Sequence, residues 1–259
     1  MLSHEPTPHR RPRAALGRRY SSSDHGSGGF TLVEMAVVLA IISLLIGALL
    51  MPYSTQQKMQ RIEQAKKGLD EIKEALIGYA AQQTDGNLPC PAVSATNGQE
   101  DRNAGTGLCN KRVGLVPWET LGVGALDPWG HRYGYSVTPL FARRAPATLY
   151  TEASSGDITI DNDSLAAGNL ATNVVAVVFS HGPNGYHAYL ENGTQAPDST
   201  GLNTDEDTNA LLTPANPTFI SRTPADPGAL PPGEFDDIVA WIPATQLIAR
   251  MMQAGKLPR

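Results

Sequence analysis

The sequence predicts an α+β fold in which a long N-terminal helix packs on a C-terminal antiparallel β-sheet domain. Three observations predict it: an unbroken apolar run over residues 30–51, an apolar stripe at helical spacing after it, and a series of short strand-like stretches from His131 onward.

The run from Phe30 to Met51 is 22 residues long. As a helix it reaches about 33 Å, which matches a hydrocarbon layer of about 30 Å, so residues 30–51 are expected to cross a membrane. A cleavable secretory signal has a shorter apolar core, about 7–15 residues, and ends in small residues. Here the run ends in Leu50-Met51-Pro52-Tyr53, and the small residues Gly26-Ser27-Gly28-Gly29 precede it. Cleavage in front of the run leaves the helix in place with a new amine at Phe30. One carboxylate, Glu34, sits just inside the span. A charge there costs about 2.5–3.5 kcal/mol on insertion scales, so Glu34 calls for a partner, or else snorkels toward the headgroups.

Beyond the span, Ile62, Ala65, Leu69, Ile72, Leu76 and Tyr79 recur at spacings of three and four, marking one buried helix face, and Glu63 and Lys67 form a favourable i,i+4 pair. Pro52 is expected to kink or loosen the passage between the two parts. Thr84-Asp85-Gly86-Asn87 and Pro89 provide the stop, so the helix is expected over 30–83 and a single globular domain over 84–259. In that domain, strands are expected at His131–Val137, Asp157–Ile160, Asn173–Ser180, Gly185–Leu190, Thr218–Arg222 and Asp237–Ile242. Gly182-Pro183-Asn184-Gly185 suggests a hairpin joining Val174–Ser180 to Tyr186–Leu190. Thr245–Ala254 reads as a short closing helix with Leu247, Ile248, Met251 and Met252 on one face and Gly255 as its stop.

Gly29-Phe30-Thr31-Leu32-Val33-Glu34 followed by the apolar run resembles the N-terminus of bacterial type IV prepilins and type II secretion pseudopilins. The resemblance implies a cytoplasmic leader over 1–29, removed by a prepilin peptidase that cuts between Gly29 and Phe30 and methylates the Phe30 nitrogen. It also implies a pilin-like fold, an inner-membrane precursor with its C-terminal domain in the periplasm, and later incorporation beside other pilin or pseudopilin subunits. Physical reasoning supports an assembly role for Glu34, because a desolvated carboxylate set against a neighbouring subunit's Phe30 ammonium fixes register at good geometry.

Removing residues 1–29 takes Arg10, Arg11, Arg13, Arg18, Arg19, Glu5 and Asp24, leaving 15 basic and 23 acidic side chains. Such an acidic chain argues against a nonspecific nucleic-acid binder, and no nucleic acid is expected as a partner; Arg143-Arg144 and Lys111-Arg112 are the local basic candidates. The two cysteines, Cys90 and Cys109, lie in a Gly- and Asn-rich stretch. In the oxidising compartment implied by the resemblance they are expected to form a disulfide, with two free thiols as the alternative. A zinc site lacks the further ligands it would need nearby.

Asp127-Pro128-Trp129-Gly130 with Tyr133 and Tyr135, Phe179-Ser180-His181-Gly182-Pro183-Asn184-Gly185, and Asp236-Asp237-Ile238 with Trp241 are similar to segments of major type II secretion pseudopilins. In that subgroup a calcium ion stabilises the loop before the last strand, which points to Asp236 and Asp237 as metal ligands through hard oxygen atoms. Asn203, Asp205, Asp207 and Asn209 form a second oxygen-rich run without the glycine and closing glutamate of an EF-hand, and read equally as a solvated flexible segment. Leu88-Pro89-Cys90-Pro91 and the insertion from Glu191 to Glu234 depart from the subgroup's pattern and favour a specialised or minor subunit.

No HExxH, G-x-S-x-G or P-loop sequence is present, and Ser180 and His181 are adjacent on a strand end, which sends their side chains to opposite faces. No enzyme is expected. Trp118, Trp129 and Trp241 read as core anchors. Two roles follow: a structural subunit of a secretion pseudopilus or pilus-like filament, or a minor pilin or adhesin-type binding protein at a filament tip.

Overall fold

The computed structural model describes residues 29–165, 168–198, 203–210, 217–231 and 233–258. The chain forms two compact units, Met1–Met51 and Pro52–Arg259. The leader expected over 1–29 lies outside the described residues apart from Gly29.

In the first unit, helix α1 (Leu32–Gln82) begins directly after Thr31, and its apolar side chains, among them Leu32, Val33, Leu39 and Leu44, are exposed. Among the described residues, no helix is long and apolar enough to cross a membrane. The side chains of residues 48–54, which include the last four of the expected span over 30–51, lie outside the description. Helix α1 includes Pro52, the position of the expected kink or loosening.

In the second unit, α1 buries Ala65, Leu69, Ile72 and Leu76, the expected stripe, and adds Ile77 and Ala80, while Ile62 and Tyr79 at its ends are half-buried. The stripe packs on Tyr133, Tyr135, Val137, Val175, Val178 and Ile242. Close approach requires glycine at one point: a side chain at Gly68 would run into the hydroxyl of Tyr133. The helix ends at Gln82, and Gly86 takes the left-handed backbone at φ 61° that turns the chain away.

The sheet comprises β1 (Val113–Leu115), β2 (Gly134–Val137), β3 (Ile158–Asp161), β4 (Asn169–Ser180), β5 (Thr218–Ile220) and β6 (Ile238–Pro243), with the one-turn helix α2 (Trp118–Leu121) between β1 and β2. Its order is β1-β2-β4-β3-β5, with β6 also paired to β4. Most pairs are antiparallel, but β3 and β5 run parallel, which makes the sheet mixed rather than antiparallel as expected. A parallel pair needs a long crossover, and the chain between β3 and β5 supplies one by running through β4 and the short helix α3 (Thr204–Ala210).

The 12-residue β4 organises both layers. Its run from Val174 to Phe179 is continuously buried because both faces are covered. Val175, Ala176 and Val178 face the α1 layer, whereas Val174, Val177 and Phe179 join Ile158, Ile160 and Phe219 in a second cluster edged by Trp241. A register irregularity between Val174 and Ala176 lets the adjacent Val175 and Ala176 share one cluster.

The expected hairpin does not form. After β4 the chain closes a turn, Gly185 N–H donating to His181 C=O at 3.1 Å, and Tyr189 and Leu190 bridge instead to Gln195 and His131. Val174–Ser180 pairs instead with β6, in the register Ser180↔Ile238 to Val174↔Pro243, and its residues from Ala176 to Phe179 also pair with β2. Strand β1 falls outside the expected strands; three residues with a central glycine carry no periodicity. Helix α4 (Ala244–Gln253) closes the unit, burying Leu247 and Met251 and leaving Met252 exposed, and Gly255 follows at φ 69°.

Leu76→Ala is expected to cost about 2–5 kcal/mol in urea unfolding, the range for emptying a fully buried leucine site, whereas Leu170→Ala, on the exposed start of β4, should change stability by no more than about 0.5 kcal/mol.

Candidate functional site: the N-terminal segment and a buried carboxylate cluster

Gly29 and Phe30 are exposed, with Phe30 80% accessible. Thr31 and Glu34 cap α1 reciprocally: Thr31 N–H donates to Glu34 Oε2 at 2.9 Å, and Glu34 N–H donates to Thr31 Oγ1 at 3.2 Å. This is a capping box, which satisfies two backbone donors that a helix start leaves without intrahelical partners. Within one chain, then, Glu34 shapes the helix start, a role readable in the spacing Thr31-x-x-Glu34.

Cys90 and Cys109 form a disulfide with Cα atoms 5.4 Å apart. The loop it closes holds a nearly buried ion pair, Arg102 Nη2 to Glu100 Oε2 at 3.0 Å, and Arg102 also donates to the carbonyls of Leu88, Gly107 and Ala142. Burial pushes the Glu100 carboxyl up, but hydrogen bonding and charge from Arg102 outweigh it and hold the group below its ordinary value. Three of the four basic candidates are engaged within the fold: Arg144 meets Tyr79 and Glu100, Lys111 donates to Val93 C=O, and Arg112 pairs with Asp157.

The Asp-Pro-Trp-Gly and Ser-His-Gly segments meet. Asp127 Oδ1 accepts from Trp129 N–H at 3.0 Å and His131 N–H at 2.8 Å, and Oδ2 accepts from the Ser180 hydroxyl at 2.6 Å. Ser180 Oγ in turn accepts from Gly182 N–H. One carboxylate thereby ties the turn before β2 to the end of β4. Burial raises its proton affinity, yet the hydrogen bonds from His131 and Ser180 win and leave it below the ordinary carboxylate range. His181 turns to a different partner, with Nδ1 3.6 Å from Asp237 Oδ1.

Asp236 and Asp237, the expected metal ligands, lie at the start of β6 and are joined by Glu206 of α3; one carboxylate oxygen from each lies within 4.8 Å of the others. Asn184 anchors the group, its side-chain N–H donors reaching Glu206 Oε1 at 3.0 Å and its backbone N–H donating to Asp236 Oδ2 at 3.0 Å. Asn209 donates to Asp237 Oδ2 at 2.8 Å, and Asp236 N–H donates to Glu206 Oε1 at 2.7 Å. Asp236 Oδ1 is buried without a hydrogen-bond partner. Burial, then the Glu206 charge, pushes Asp236 up to about 8, and burial, then Asp237, raises Glu206. Crowded, oxygen-rich and built of three carboxylates, the cluster fits a hard divalent cation such as calcium.

The run from Asn203 to Asn209 enters α3 and buries Asn203, Asp205, Glu206 and Asn209, which corrects the solvated part of its second reading. It does not act as one ligand loop: Asp205 is fully buried and pairs with Arg222, Glu206 enters the carboxylate cluster, Asp207 turns to His187, and Asn209 brackets β5 by donating to Ile220 C=O and accepting its N–H. Glu206 and Asn184 had no signal pointing to this site, because only the fold brings α3 and the turn after β4 to the start of β6.

Residues 24–50 match the family described as the prokaryotic N-terminal methylation motif. No curated protein and no solved structure matches the chain.

Without divalent cations, stability is expected to fall as pH rises between about 4 and about 8, because the folded state keeps a proton on Asp236 that an unfolded aspartate, ordinary value about 3.9, has lost. A calcium ion held here would bind the ionised cluster, so the Tm gain from CaCl2 over EDTA should grow with pH across that window; a gain independent of pH would count against the cluster as the site. Asp127, with the opposite shift, contributes stability that is lost only as pH falls through its depressed folded value.

Proposed function

We propose that this chain, which carries the N-terminal methylation motif of pilin-like and pseudopilin precursors, is a structural subunit of a type II secretion pseudopilus or related type IV pilus-like filament. The observation that carries the reading is the motif over residues 24–50, joined to a capped helix whose first turns expose only apolar side chains apart from Glu34 and Ser43. Prepilin peptidase cuts between Gly29 and Phe30 and methylates the new amine. Residues 30–51 hold the precursor in the bacterial inner membrane with its C-terminal domain in the periplasm, and lateral packing of the helix then draws the subunit into a filament.

In the filament, the Glu34 carboxylate exchanges its Thr31 cap for, or shares it with, the Phe30 ammonium of a neighbour. The capping box supports this by holding the carboxylate at the helix start, one turn from the amine that cleavage creates. The pairing of Asp127 with Ser180 supports the secretion-pseudopilus branch, since it joins the two segments that resemble those subunits. Calcium at Asp236, Asp237 and Glu206 clamps the loop before β6. The alternative, a minor pilin or adhesin at a filament tip, draws on the insertion between Glu191 and Glu234, which places α3 beside that loop.

Intact-mass measurement of membrane-extracted protein should give a mature N-terminus at methylated Phe30; any other start removes the basis of the proposal. Glu34→Leu should be cleaved and inserted normally and fail to enter sheared filaments, while undiminished incorporation would refute the pairing. Repeated labelling along filaments distinguishes the structural subunit from a scarce tip protein.

A further inference from the structure

Helix α3 serves two clusters at once. Glu206 enters the carboxylate group at the start of β6, and the next residue, Asp207, turns to His187 and Asp198. His187 Nε2 lies 3.1 Å from Asp198 Oδ1 and 3.4 Å from Asp207 Oδ1, and one donor atom from each of the three residues falls within 4.8 Å of the others. The histidine side chain is only 11% exposed, whereas both aspartates remain open to solvent.

The two histidine–carboxylate separations suit a coordination shell. An ion about 2.0–2.2 Å from each donor in tetrahedral geometry sets its ligands about 3.3–3.6 Å apart, close to both histidine–carboxylate distances. The donor set differs in kind from the all-oxygen cluster beside it. One imidazole nitrogen and two carboxylate oxygens suit a borderline transition ion, not calcium, and two negative charges balance a divalent cation. Three protein ligands leave a fourth position for water. The chain around the ring is braced: the Gln195 side-chain amide donates to His187 C=O at 3.0 Å, and Ala196 N–H donates to Ala188 C=O at 2.7 Å, bringing the segment that carries Asp198 alongside the histidine.

We propose that His187, Asp198 and Asp207 form a second divalent-cation site, of zinc type, which joins the turn after β4, the 195–198 arm and α3. It needs Nε2 unprotonated, so the ring proton sits on Nδ1. The ion replaces a shared hydrogen bond with three metal–ligand bonds and fixes the insertion to the domain. The site stands independently of the filament role and of calcium.

The test uses the full chain, purified in detergent and freed of metal, titrated with ZnCl2 in excess CaCl2 beside His187→Asn and Glu206→Gln. Asparagine is chosen because His187 has φ 60°, a left-handed backbone that asparagine accepts. Wild type and Glu206→Gln should share one zinc equivalent whose affinity falls at least about tenfold in His187→Asn. Co2+ should give the intense visible bands of a tetrahedral centre in the first two and not in the third. Zinc binding unchanged in His187→Asn, no such equivalent in the wild type, or its displacement by calcium would overturn the proposal. If His187→Asn loses its metal-free unfolding transition, Asp207→Asn takes its place with the same expected loss.

Discussion

The second unit is held by the burial of β4 on both faces. A strand covered on one side only needs an alternating pattern and tolerates a slip of register at modest cost. A strand covered on both sides commits every residue from Val174 to Phe179 to a defined set of neighbours. The α1 stripe fixes one face, the β3–β5 pair and Trp241 fix the other, and β2 and β6 hold its C-terminal half by backbone hydrogen bonds. The polar groups at the end of the strand are placed by the same commitment: Ser180 reaches Asp127, His181 reaches Asp237, and the following turn offers Asn184 to Glu206 and Asp236.

This arrangement gives buried carboxylates contrasting fates over a short distance. Asp127 is surrounded by donors and stays easily ionised, whereas Asp236 faces other carboxylates and keeps its proton toward neutral pH. The first is a structural tie complete within the protein. The second is an unbalanced charge cluster, and the difference lies in the number of donors supplied by the fold rather than in the depth of burial.

Local periodicity made much of this legible in the sequence. The spacing of Ala65, Leu69, Ile72 and Leu76 marks the buried face of α1, and the β-branched run at Val174–Val178 marks a central strand. Partners were another matter. The turn at Gly182–Gly185 looks like the tip of a hairpin, but its backbone is spent on an internal turn and on Asp236, so one neighbour of β4 is β6, far along the chain. The candidate site divides in the same way. Asp236 and Asp237 are adjacent acids before a strand and can be read directly, while Glu206 enters only because α3 forms within an insertion that has no period longer than two turns. The capping box at Thr31 and Glu34 was legible in the spacing, overshadowed by the cost of a charge in an apolar helix.

All the buried core residues among those described lie at or beyond Ala65. The exposed apolar side chains from Phe30 to Ile46 contribute nothing to that core, so the globular unit can reach its final packing without them. On the proposed filament role, lipid around those side chains is exchanged for other copies of the same helix while the folded part is left as it was. Polymer growth on that role is a change of solvent for the first helical turns and asks for no refolding of the globular unit.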